Sequence, residues 1–281
     1  MVRIITDSAS DFEPNEYVEK NIVCVPLSVI VAGKEYIENE EITKTEFYEK
    51  LASTNEAPRT SQPSPYRMEK AFREAMEAGD EAVVIPISSG LSGTCQGFMA
   101  VKEDVGYEDC YIVDSLTGTG GVRMLVEYAV KLRDEGKSAK EIAEAVTEVR
   151  SRVTLYTCMD TLEYLMRGGR ISKSTYIVGS LAQIKPIMHV TPDGRPEIPA
   201  KVMGIRKGID YLCKKIDQIE PDPDFPVYVM YTHVRTNGEQ LAAALRKKGY
   251  DIPDSRIINV GAVVGTHIGP NACAIVYIAK K

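Results

Sequence analysis

The sequence predicts an α/β protein of two domains: an N-terminal α/β/α domain on a mostly parallel sheet and a C-terminal α/β domain with a mixed sheet. Three observations carry this. Short β-branched runs alternate with amphipathic stretches through the first half, a pattern that favours a parallel sheet with helices on its faces. After residue 150 two extended segments follow each other across a turn, as antiparallel neighbours do. The 281 residues accommodate two cores at about 100 to 200 residues per domain. The domains are expected to span 1–151 and 152–281.

In the first half, strands are expected over 2–5, 22–31, 82–87 and 110–113, each a β-branched run bounded by turn residues. Helices fill the gaps over 44–51, 65–78, 95–102, 121–134 and 139–149. The start at 65 is well signalled, because Ser64 can cap the free amides and Pro65 loses no useful N–H at the first helical position. Met68, Ala71, Phe72, Ala75 and Met76 follow at helical spacing, so this helix buries one face.

In the second half, 152–158 reads as a strand and 160–166 and 174–183 as helices. Extended segments 186–190 and 197–203 are joined through the turn Thr191-Pro192-Asp193-Gly194. A helix over 204–219, a strand over 227–232, a helix over 238–248, and strands over 256–260 and 273–279 complete the chain. The segment 261–270, with three glycines and His267, reads as a loop before the last strand.

Composition excludes several classes of function. A net charge of −6 offers no basic stripe for nucleic acid, and the pairs Arg206-Lys207, Lys214-Lys215 and Lys247-Lys248 read as solvated helix faces. The longest apolar runs, 24–31 and 273–279, are far short of the roughly 20 residues that span a bilayer. The first residues meet Asp7 early and show no secretory pattern, so a cytoplasmic protein is expected, with at most transient contact with a membrane surface. Six cysteines lack any C-x-x-C pair and read as buried free thiols. His189, His233 and His267 lie far apart, so no metal site is expected.

Three strands of the first half end alike, in Thr6-Asp7-Ser8, Ser88-Ser89-Gly90 and Asp114-Ser115. In a parallel sheet these small polar residues gather at the carboxyl edge, where open α/β sheets bind ligands. The segment from Ile87 to Gln96 is the richest. Its serines, glycines and following helix N-terminus suit an anion such as a carboxylate or phosphate. It is no Walker loop, and Gly90-Leu91-Ser92-Gly93-Thr94 lacks the last glycine of a hydrolase elbow, which makes Ser92 a donor rather than a nucleophile. Thr60-Ser61-Gln62-Pro63-Ser64-Pro65 adds hydroxyls on a proline-stiffened loop.

Those segments, together with Gly168-Gly169-Arg170-Ile171-Ser172, Lys185-Pro186-Ile187 and Gly265-Thr266-His267-Ile268-Gly269-Pro270, resemble in order and spacing the DegV family of bacterial lipid-binding proteins. The resemblance implies one long-chain fatty acid held in a tunnel between the two domains. FakB-type members carry the acyl chain for bacterial fatty acid kinase, whose separate ATP-binding subunit makes an acyl phosphate for phospholipid synthesis. By resemblance, the hydroxyls of Thr60, Ser61 and Ser92 and the Gly93 amide contact the carboxylate, with His267 nearby. Arg170 and Arg206 lie near the mouth for kinase docking. The resemblance implies neither a catalytic residue nor a cofactor. Neutral donors suit such a role, giving roughly 1.5 to 3 kcal/mol per charge-assisted bond while leaving an oxygen lone pair free.

Two alternatives share these residues. In a serine-dependent lipid esterase or phosphoesterase, Ser92 is the nucleophile, His267 the base and Asp7 or Asp114 the orienting group. A lipid sensor without a kinase partner has every feature of the carrier.

Overall fold

Val2, Ile4, Ile5 and Thr6 give the first strand, β1 (Val2–Asp7), its β-branched run. In this computed structural model, which describes residues 1–54, 56–177 and 183–281, there follow α1 (Pro14–Glu19), β2 (Ile22–Val25), β3 (Ser28–Val31), β4 (Lys34–Ile37), α2 (Lys44–Ser53) and β5 (Arg59–Ser61). The first half continues with α3 (Pro65–Glu77), β6 (Glu81–Ile85), α4 (Thr94–Val105), β7 (Cys110–Ile112), α5 (Gly120–Asp134) and α6 (Ala139–Arg150). The second half opens with β8 (Val153–Cys158), α7 (Glu163–Arg167), α8 (Lys173–Ile177), β9 (Ile184–Val190), β10 (Pro196–Met203) and α9 (Gly204–Gln218). It ends with β11 (Tyr228–Tyr231), α10 (Thr236–Lys247), β12 (Ile257–Asn259), α11 (Ala262–Ile268) and β13 (Cys273–Ile278).

Strands β2, β1, β6 and β7 form a wholly parallel sheet in that order. Side chains alternate across it. Ile4, Val83 and Ile85 pack with Val122, Val126 and Ile142 of α5 and α6, and Ile5, Ala82 and Val84 pack with Met68, Phe72 and Phe98 of α3 and α4. The second sheet, in the order β10-β9-β8-β13-β11-β12, is mixed. One face packs Tyr156, Ile187 and Ile275 against Ile209, Leu212 and Leu241 of α9 and α10. The other packs Leu155, Met230 and Val276 into the same core as α5. A single helix layer is thus shared by two sheets, and the change of sheet falls between α6 and β8.

The structure departs from the sequence reading in four places. The expected strand over 22–31 is two strands, because Pro26 interrupts it: proline donates no ladder bond and restricts the residue before it. The second piece, β3, pairs with β4 and β5 in an antiparallel sheet of its own. Helix α1 and strands β4 and β5 had no counterpart in the sequence reading, although Glu13, Pro14 and Glu16 form a capping box with proline at the first position. The segment expected as a loop around His267 is helix α11. Gly265 and the β-branched residues beside it are weak helix formers, so tertiary contacts decide its state. The helix expected over 160–166 is confined to α7, and that expected over 174–183 begins as α8, its remainder over 178–182 lying outside the described residues.

Candidate functional site

The carboxyl ends of β1, β6 and β7 lie side by side, as the parallel reading requires. Asp7 organises this edge. Its carboxylate accepts from Ala9 N at 3.0 Å and from Ile87 N at 2.8 Å, and complete burial pushes its pKa up to about 7. Asp114 accepts from Ser89 N and Leu116 N, both at 3.1 Å. The serine and glycine loop that these aspartates shape docks on the second half: Ser88 Oγ donates to Gly194 O at 2.8 Å in the β9–β10 turn. Gly90 allows the approach, since a Cβ there would lie 2.6 Å from Gly194 O.

Between this edge and the mixed sheet lies a mostly apolar slot. Its floor follows strand alternation: Leu155 and Thr157 of β8 and Met188 and Val190 of β9 line it, while Tyr156, Cys158 and Ile187 face the opposite core. Ile87 and Leu91 from the first half and Val263 and Val264 from α11 close the sides. The slot encloses about 810 Å³ including its open mouth. A mostly apolar space of that kind suits the tail of a hydrophobic ligand, with the few polar groups of its lining left to fix orientation.

Polar groups converge at one part of the lining. Thr60, on β5, brings its Oγ1 to 2.9 Å from His267 Nε2. Ser92, in the turn before α4, holds Thr94 through its hydroxyl at 2.9 Å and lines the slot. His267 Nδ1 is buried without a hydrogen-bond partner among the described residues and faces Gly168, where a Cβ would lie 2.1 Å away. Burial and then the charge of Arg170 depress the imidazole to about 3, so it is neutral. Arg170 donates from Nε to Leu91 O at 3.0 Å and from Nη1 to Gly168 O at 2.7 Å. Together with Leu91 and Ser92, it also lines an open polar depression on the outer side. Burial lowers its pKa as well.

Thus Thr60, Ser92, His267 and Arg170 share the slot. Ser61, the next residue on β5, points the other way into a surface depression with Pro26 and Ser28, as alternation along a strand requires. Gly93 caps α4 and lines the outer depression, with the Gln62 side chain over it. Arg206 is exposed on the first turn of α9 and lines neither space. The hydrolase chain is not assembled: His267 pairs with Thr60, Ser92 pairs with Thr94, and Asp7 and Asp114 are engaged by backbone amides. Among the described residues no group of three or more His, Cys, Asp or Glu is placed to hold a metal ion, and no helix is long and apolar enough to cross a membrane. The sheet-face residues of the slot were absent from the sequence reading, although period-two alternation in β8 and β9 marks them as one face.

Known proteins resemble the chain along its whole length. The family model described as uncharacterised protein, DegV family, matches residues 1–280. A DegV domain-containing protein of Clostridium perfringens is 31% identical over 282 residues, covering 98% of this chain and 96% of its own. A DegV family protein of Thermus thermophilus, described for its fatty acid binding, superposes with a TM-score of 0.89 at 28% identity, covering 99% of each chain. A fatty acid binding DegV family protein of Streptococcus agalactiae superposes with a TM-score of 0.89 at 25% identity, covering 100% of this chain and 99% of its own. With end-to-end agreement in both sequence and fold, this chain is a member of the DegV family.

Proposed function

We propose that this chain binds one long-chain fatty acid, with the tail in the slot and the carboxylate at Thr60, Ser92 and His267, and presents that carboxylate in the cytoplasm to a separate ATP-dependent kinase subunit. One observation carries the reading: a mostly apolar slot whose lining brings together Thr60 and His267, with Ser92 and Arg170 also on it, and with no aspartate or glutamate among the described lining residues to repel an anion. Fatty acid binding by the Thermus and Streptococcus relatives supports it. In this reading the slot separates a domain of residues 1–151 from one of 152–281.

The tail supplies affinity. At about 0.8 kcal/mol per buried CH₂, a long chain offers roughly 10 kcal/mol before entropic costs. The mouth supplies orientation. Hydroxyls and a neutral imidazole can hold one carboxylate oxygen while the other keeps a lone pair to attack the γ-phosphorus of ATP on the partner, forming the acyl phosphate and releasing ADP. The half-buried guanidinium of Arg170 adds positive charge beside the developing product. The outer depression shares Leu91, Ser92 and Arg170 with the slot, which gives the carboxylate a route to a docked partner. The resemblance to FakB-type carriers, rather than any contact in this chain, names that partner.

Denaturing extraction and mass spectrometry of protein purified from a bacterial host, never delipidated, test the binding. About one fatty acid per chain is expected; a preparation free of stoichiometric fatty acid that also fails to take up added oleate overturns the reading. Acyl phosphate formation with the kinase subunit present separates a carrier from a sensor.

A further inference from the structure

Three carboxylates outside the slot are fully buried in the first half of the chain: Asp7, Asp11 and Glu38. Such groups are costly unless their lone pairs are met. Asp7 serves its own sheet edge. Asp11 and Glu38 instead reach across to α11, more than 200 positions away. Asp11 Oδ1 accepts from Gly261 N at 2.8 Å and Glu38 Oε1 accepts from Val263 N at 2.9 Å. Amides at a helix start have no intrahelical acceptor, and a carboxylate there gains from the helix dipole as well. The second oxygens are also engaged: Thr119 Oγ1 donates to Asp11 Oδ2, and Ser8 Oγ donates to Glu38 Oε2 at 2.6 Å.

Gly261 permits this double approach. A Cβ there would lie 2.5 Å from Glu38 Oε1 and 3.0 Å from Asp11 Oδ1. Tyr48 adds a third hold, donating to Val260 O at 3.2 Å and bringing its hydroxyl end against Gly265, where a Cβ would meet the hydroxyl at 2.4 Å. Asp11 also anchors Thr119, a slot-lining residue at φ 48 and ψ −127, a conformation that non-glycine residues avoid unless their surroundings impose it. A seven-residue helix does not hold its own shape or position. At the far end of this one stands His267, bonded to Thr60.

We propose that Asp11 and Glu38 are positioning residues for the bound carboxylate, acting through α11: they pin the start of the helix so that its end delivers His267 to Thr60. This rests on the fatty acid reading above. A shift of about 1 Å at the imidazole suffices to spoil an oriented contact.

The test uses Glu38→Gln and Asp11→Asn in the full chain, titrated with a fatty acid and with the fatty alcohol of the same length. Both variants are expected to bind the acid about tenfold more weakly, the scale of one charge-assisted bond, with alcohol affinity changed less than about twofold because tail burial is untouched. Combining either variant with His267→Ala is expected to add little to the His267→Ala loss, since the two act through one contact. The His267 imidazole nitrogen resonances, read by NMR without ligand, are expected to move in both variants. Equal losses for acid and alcohol, or an unmoved imidazole, overturn the proposal and assign the carboxylates to stability alone. Should the wild type bind no fatty acid, the proposed function fails, and the imidazole resonances still decide whether the clamp holds His267. If Glu38→Gln does not fold, Asp11→Asn decides alone.

Discussion

His267 and Thr60 meet at 2.9 Å across 207 positions of the chain, one from a short helix after β12 and the other from the edge strand of the small antiparallel sheet. With its one N–H on Nε2 donating to Thr60 Oγ1, the neutral imidazole leaves the Thr60 hydroxyl hydrogen free for a carboxylate, a donor without net charge. His267→Ala is expected to weaken fatty acid binding by about 1 to 3 kcal/mol. Because burial and Arg170 depress the imidazole to about 3, wild-type affinity is expected to show no histidine titration between pH 5.5 and 8. Calorimetric titration across that range checks this; an inflection near 6.5 that disappears in His267→Ala would refute it.

Ser92 faces the slot with its hydroxyl on Thr94. Ser92→Ala is expected to weaken fatty acid binding by about 1 to 3 kcal/mol and to slow kinase-dependent acyl phosphate formation further, through lost orientation. The turn loses the 2.9 Å contact with Thr94 Oγ1 and a long bond from Thr94 N at 3.3 Å, both local to it, so the stability loss should stay near the scale of one or two neutral hydrogen bonds, about 1 to 2 kcal/mol. Wild-type binding and transfer in this variant would remove Ser92 from the site.

Arg170 and Arg206 are expected to separate. Arg206 is exposed and pairs with no acidic group among the described residues, so Arg206→Ala should leave lipid affinity intact while slowing transfer to the kinase, and the deficit should shrink as salt screens the lost charge. Arg170→Ala removes bonds to Leu91 O and Gly168 O at the mouth and should lower both. Equal losses of binding and transfer in Arg206→Ala would move that arginine from docking to the lipid site or the fold.

Buried acids give the protein a pH signature. Burial raises Asp7 and Glu38 to about 7 each, against about 3.9 and 4.3 for the unfolded chain. Between those limits the folded state holds protons that the unfolded state has released, so this contribution is fully present below about pH 4 and is lost as pH rises through 7, at up to about 1.4 kcal/mol per pH unit for each group. Urea denaturation from pH 5 to 8 should therefore show falling stability, with a shallower slope in Asp7→Asn. Identical slopes in wild type and variant would show that Asp7 is ionised throughout.

Gly90 offers a steric test. Gly90→Ala places a methyl against the backbone oxygen of Gly194, and a backbone atom gives way less readily than a side-chain tip. A loss of about 1 to 3 kcal/mol in stability is expected, with weaker fatty acid binding as the serine loop lifts from the β9–β10 turn. Unchanged unfolding would mean that the loop and turn separate freely.

What the sequence determined by itself was local. Ser64 and Pro65 start α3 because a cap and a fixed φ act within a single turn, and the β-branched runs of β1, β6 and β13 declare strands through neighbours two positions apart. Asp7, Ser88 and Asp114 could be assigned to one edge because parallel strands order their ends. Tertiary structure decided the rest. No local signal turns the glycines and valines of 261–268 into a helix, because the acceptors that hold its start, Asp11 and Glu38, lie 250 and 225 positions away. Likewise Thr60 enters the slot and Ser61 leaves it only because β5 pairs with β3 in one register, with Thr60 opposite Val29; a slip of one residue would exchange them. Short-range periodicity fixes which elements exist, while the partners of a side chain depend on packing between elements that the chain brings together only when folded.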